Sequence, residues 1–119
     1  MTLAAFEHLV EDALAGIPAA YRSRMRNVLL VVEDDAPQPG LLGLYEGRPL
    51  TERGVNDGFA MPDRITIYRM PHERLARNSQ HLRRMVVETV WHEIAHYFGL
   101  NEAQVLRAER ARTRRRYSS

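Results

Sequence analysis

The sequence contains no cysteine. That removes disulfide frameworks, thiolate metal sites and cysteine nucleophiles together, so any metal here must be held by His, Asp or Glu. No apolar run approaches the roughly 18 residues that a membrane span needs. The stretch from Met1 to Ile17 has no basic start and carries Glu7, Glu11 and Asp12, which is not the pattern of a signal peptide. The expected location is the cytoplasm, with no membrane partner. Lysine is missing too: all 17 basic residues are arginine, a bias that reflects genome composition as much as chemistry.

What is present fits an ordinary globular chain. At 119 residues, 45% apolar and 27% charged, there is room for one domain with one core. The charge is uneven. Residues 1–102 hold 11 Arg and 14 acids (net −3), and residues 103–119 hold 6 Arg and one Glu (net +5). The boundaries expected are a domain over 1–106 and an Arg-rich tail, helical or frayed, over 107–119. The Arg107–Arg116 cluster is read as a solvated end, not as a nucleic-acid surface.

Hydrophobic spacing predicts the elements. Thr2 caps a helix through about Ala15, with Leu3, Phe6, Leu9, Val10, Ala13 and Leu14 on one face. Gly16 and Pro18 end it, and a short helical turn follows at Pro18–Arg24. Val28–Val32 reads as a buried strand and Leu41–Glu46 as a second one, while Leu50–Pro62 reads as loop. Arg64–Arg69 alternates polar and apolar residues, and Arg64, Thr66 and Tyr68 are expected on the outward face of an edge strand beside a cleft. Asn78 or Ser79 opens a long helix to Phe98, with Gly99 beyond its end, and a charged helix from Asn101 to about Arg114 follows. The order gives an α+β class.

The long helix carries the chemistry. His92 and His96 are four residues apart, so both imidazoles project from one face and can reach one tetrahedral zinc. Glu93 lies about 100° round the helix from His92, placed to act as general base on a water activated by the metal. With 5 His and 10 Glu in 119 residues, His-Glu-x-x-His arises by chance in roughly 2% of shuffled chains. Gly99 and Glu102 extend the spacing to His92-x₃-His96-x₂-Gly99-x₂-Glu102, and requiring them lowers the chance to about one in ten thousand. A glycine there can turn the chain back, so that an acid three residues later approaches the same metal.

A helical wheel sorts the neighbours. Leu82, Val86, Val87, Val90, Ile94, Tyr97 and Phe98 form the apolar arc, and Arg84, Glu88 and Ala95 lie opposite. The histidines sit at the boundary beside Met85 and Thr89, where the floor of a cleft would be. Glu93 falls at the edge of the apolar arc, where partial desolvation raises a carboxyl towards the range useful for a base. His8, His72 and His81 are expected at the surface or in caps, and Met25, Met61, Met70 and Met85 in the core.

The stretch from His92 to Glu102 resembles the active-site helix of a family of very small bacterial zincin-like metallopeptidases. Val31–Asp34, Leu42–Gly47, Pro49–Arg53 and Pro62–Arg69 are similar to the same family. The resemblance implies a zincin-like fold, a short twisted mixed sheet packed on an N-terminal helix and the long active-site helix. It implies His92, His96 and Glu102 as ligands of one Zn²⁺ per chain and Glu93 as the catalytic base. Two features of larger relatives are missing, the methionine turn after the third ligand and a separate substrate-binding domain. The expected function is peptide-bond hydrolysis of an unknown peptide or protein substrate, with Arg69 or Tyr68 as candidates to steady an oxyanion. The other reading kept open is a zinc-binding regulatory or interaction module with little or no proteolysis.

Overall fold

The computed structural model describes residues 1–47, 62–101 and 103–111, the last stretch without Val105 and Glu109. Glu102, Met61, the tail 112–119 and nearly all of the expected 50–62 loop lie outside the described residues.

Two helices frame the core, and both have the caps that the sequence advertises. In α1 (Leu3–Ala15) the Thr2 hydroxyl accepts from the Ala5 N–H at 3.1 Å, satisfying one of the helix's orphan donors. α2 is one turn, Ala19–Arg22, with Pro18 at its N-cap. α4 (Ser79–Tyr97) opens on Asn78, whose side chain accepts from the His81 N–H at 2.8 Å. His81 returns the bond, its Nδ1 accepting from the Arg77 N–H at 3.0 Å, so it is the capping residue expected. Between the strands and α4 lies a helix the period-2 pattern does not announce, α3 (Arg69–Leu75), with buried Pro71 in its first turn. The described residues between 103 and 111 are helical as well.

Among the described residues the strands β1 (Val28–Glu33), β2 (Gly43–Glu46) and β3 (Asp63–Tyr68) make one sheet in the order β1-β3-β2. β1 runs parallel to β3 and β2 antiparallel to it. The architecture is α+β with a small mixed sheet, as expected. Ile65 and Ile67 of β3 meet Phe6, Val10, Ala13 and Ile17 from the α1 side and Leu82, Val86, Val90 and Ile94 of α4. Each of the Phe, Val, Leu and Ile side chains among them contributes about 1.5–3 kcal/mol relative to exposure.

Three expectations need correction. β1 is half-buried, not buried: it borders β3 alone among the described strands, and Leu29 is 52% exposed. β3 is the middle strand, not an edge, so Thr66 and Tyr68 are buried and its backbone is paired on both sides. Burial, and then the carboxylates of Glu33 and Glu46, hold the Tyr68 phenol above its usual pKa, so it stays protonated. His72 is not at the surface either. It is fully buried, its Nδ1 lies 2.6 Å from the Tyr68 carbonyl, its Nε2 lies 2.8 Å from Thr89 Oγ1, and the Phe6 ring is 5.4 Å away.

Burial lowers the pKa of His72 below the usual 6.5, against the raising effect of its bonds to the Tyr68 and Met85 backbone. The unfolded chain therefore binds a proton that the folded chain rejects, and stability falls with pH in that window. The contribution is fully present above about pH 6.5 and is lost as pH drops from there through the folded-state value. Thermal midpoints measured from pH 7.5 to 5 should decline on acidification, with the His72 imidazole titrating below 6.5 by NMR. A His72 ring titrating at or above 6.5 would contradict this.

Candidate metal centre

The last turn of α4 is fixed before any metal is considered. Tyr97 is fully buried. Its hydroxyl accepts from the Arg26 N–H at 3.0 Å, which ties the turn to the start of β1, and its ring meets Tyr45 of β2 edge-on at 6.4 Å. Beyond Phe98 the chain closes in a Schellman turn. The Gly99 N–H donates to the His96 carbonyl at 2.9 Å, the Leu100 N–H to that of Ala95 at 3.1 Å, and Gly99 takes φ +89°. A glycine is needed because the left-handed region costs other residues about 1–2 kcal/mol.

That turn also orients His96. The carbonyl of Leu100, delivered by the turn, lies 3.1 Å from His96 Nδ1. A carbonyl can only accept, so Nδ1 carries the hydrogen and Nε2 of neutral His96 is the nitrogen with the lone pair. His96 Nε2 faces His92 Nε2 at 3.3 Å, with the rings nearly perpendicular at 70°. Two nitrogens each about 2.05 Å from a tetrahedral zinc stand about 3.3–3.4 Å apart. The imidazole pair therefore fits the ion in donor chemistry and spacing, and His96 fits it in tautomer as well.

Glu93 lies on the drier side of the same helix, 6% exposed. β2 comes down on it through a residue without a side chain. A Cβ built on Gly43 would stand 2.7 Å from Thr89 Cγ2 and 3.1 Å from both Cγ and Oε2 of Glu93. The glycine thus lets the strand's backbone rest against α4 where the carboxylate lies. Gly40, Leu41, Leu42 and Gly43 on one side and Glu88, Thr89, His92 and Glu93 on the other enclose a cleft of about 330 Å³. The Glu93 carboxylate, the His92 imidazole and an apolar wall thus meet in one concavity.

The residues singled out by sequence divide as follows. His92, Glu93 and Thr89 share the cleft, and Met85 is half-buried on the same helix. Glu102 lies outside the described residues, and among those described no third His, Asp or Glu completes a cluster for a metal. Arg69 is not placed to steady an oxyanion. Its guanidinium donates to Asp34 at 2.6 Å and to Glu73 and the Met1 carbonyl at 2.7 Å each, and the Asp34 bond raises its pKa further. Tyr68 follows Ile67, which joins the core with α1 and α4, and burial first, with the Glu93 carboxylate among the smaller causes, raises the pKa of its phenol. Gly43 was missed by sequence reading, although a glycine inside an apolar strand is itself a signal of close backbone approach.

The sequence model of a family described as zincin-like metallopeptidase matches residues 25–111, from before β1 to the helical residues beyond Gly99. No curated protein matches the chain. No helix among the described residues is long and apolar enough to cross a membrane.

The Schellman turn makes a direct prediction. Gly99→Ala should lower stability by about 1–2 kcal/mol and, by loosening the Leu100 carbonyl behind His96, weaken zinc binding about 10–100-fold. Urea unfolding and competitive zinc titration check the two effects. An alanine variant with parental stability would show that the left-handed turn is not constrained as described.

Proposed function

Because this chain belongs to the zincin-like metallopeptidase family, we propose that it is a zinc metallopeptidase with its centre at His92, Glu93 and His96. The observation that carries the reading is the 3.3 Å approach of the two Nε2 atoms beside the buried Glu93 carboxylate. His92 and His96 would hold one zinc per chain, with Glu102 as the third ligand three residues after the glycine turn. Bound there, zinc supplies a Lewis acid that acidifies water and polarises a carbonyl.

The chain's own groups do the rest. Glu93, dry on the helix side and open to the cleft, accepts the proton of the attacking water and returns it to the leaving amine. Its ordering against Gly43 means that little reorganisation is needed during the reaction. β2 is an outer strand of the sheet among the described residues, and the segment from Gly40 to Gly43 borders the cleft. An extended peptide would lie along that edge, its backbone bonded as an added strand. β3 offers no such edge, because both of its edges are already paired. Leu41 and Leu42 offer apolar contact for a side chain next to the scissile bond.

Metal analysis should find one zinc per chain, lost when His92 or His96 becomes Ala. Glu93→Gln should keep the zinc and lower peptide cleavage about 10²–10⁴-fold. Full zinc content with equal turnover in the Glu93→Gln protein would sink the catalytic assignment. A histidine variant that keeps its zinc would sink the centre itself.

A further inference from the structure

His72 is a fully buried polar group that the chemistry above does not use. It sits on α3, and its Nε2 reaches across to Thr89 on α4 at 2.8 Å while Nδ1 is held by the Tyr68 carbonyl at 2.6 Å. Since that carbonyl only accepts, Nδ1 carries the hydrogen. Burial keeps the ring neutral, so Nε2 is an acceptor and takes the Thr89 hydroxyl hydrogen. Threonine in a helix divides between two χ1 rotamers, both able to bond a carbonyl of the preceding turn. The Met85 carbonyl, 2.9 Å from Thr89 Oγ1 in this same rotamer, competes with His72 Nε2 for the one hydroxyl hydrogen.

The choice between rotamers has a consequence on the other side of Cβ. With Oγ1 turned towards His72, the Thr89 methyl is the atom that stands 2.7 Å from the Cβ position of Gly43, beside Glu93 Cγ and Oε2 at 3.1 Å from the same point. The methyl is therefore part of the wall on which β2 rests, with the Glu93 carboxylate beside it at the same glycine. Without a partner in α3, one step of rotation about χ1 can bring the Thr89 hydroxyl into the methyl's place, the methyl moving to where the hydrogen was, and a polar atom then faces Gly43 and Glu93.

We propose that His72 is a positioning residue: by selecting the Thr89 rotamer it sets the wall that holds β2 and the Glu93 carboxylate in register. The inference takes Glu93 as the base, and so rests on the function proposed above, but the contact it describes exists whether or not the protein cleaves peptides. It assigns His72 no contact with substrate or metal. Any effect on the reaction must pass through Thr89.

Two substitutions separate the arms of the ring. In His72→Asn the amide reaches the place of Nδ1 and keeps the Tyr68 bond. In His72→Gln it reaches the place of Nε2 and keeps the Thr89 bond. In the parent, NMR should show a single Thr89 χ1 and a methyl contact to the Gly43 α-protons. His72→Asn should average that χ1 and weaken the contact with zinc content unchanged, and His72→Gln should restore both. Where cleavage is measurable, His72→Asn should lower kcat at least tenfold with KM within twofold. In a Thr89→Val background, where methyl groups occupy both positions, the same change should alter kcat less than twofold. An unchanged Thr89 rotamer and Gly43 contact in folded His72→Asn overturns the proposal, as does an equal loss of kcat in both backgrounds. If His72→Asn does not fold, the parent and His72→Gln decide, and averaging of Thr89 χ1 in the parent overturns it. A parent that shows the rotamer lock but no cleavage would refute the peptidase reading and leave the positioning intact.

Discussion

β2 rests on α4 without a side chain between them. At Gly43 the strand's backbone meets the Thr89 methyl and the Glu93 carboxylate at distances that a Cβ would violate. A normal residue there would push the strand outward, widen the cleft and let water around Glu93. Close approach brings the apolar Gly40–Gly43 segment opposite His92 and Glu93, and it keeps the carboxylate in a site of low polarity where electrostatic interactions are strong. The placement of α4 against the sheet depends in turn on the common core of α1, β3 and α4. The position of the carboxylate is therefore a property of the whole core, transmitted through one glycine.

The histidine end of the site depends on a different device. The helix must stop after Tyr97 and turn back, and the backbone that turns back supplies the carbonyl that fixes the tautomer of His96. Helix termination and the orientation of His96 are thus one event. Tyr97 secures the same turn from the inside through its bond to the Arg26 N–H, so the nitrogen pair is held by core packing on one side and by the glycine turn on the other. Such support behind a ligand is what keeps a metal site in one geometry.

Much of this was legible in the sequence because it is local. The caps at Thr2 and Asn78, the apolar stripe of α4 and the turn at Gly99 follow from residues within a few positions of one another, and so does the pairing of His92 with His96. What was misread is non-local. Period-2 alternation in Arg64–Tyr68 says which residues share a face, but not that β3 is flanked on both edges by β1 and β2, so Thr66 and Tyr68 read as the outward face of an edge strand beside a cleft. His72 looks like a surface histidine because its burial comes from α4 and Phe6, neither near it in sequence. Arg69 looks free until Asp34 and Glu73 come to it. Sequence spacing alone names Glu102, which lies outside the described residues.

The central claim is that His92 and His96 hold the same zinc ion through Nε2. X-ray absorption at the zinc edge of the loaded protein tests it most directly. The spectrum should show two imidazole nitrogens at about 2.0–2.1 Å, with the multiple scattering of histidine rings, and oxygen donors completing a four-coordinate shell. A shell of oxygens alone, or a single imidazole per zinc, would contradict it.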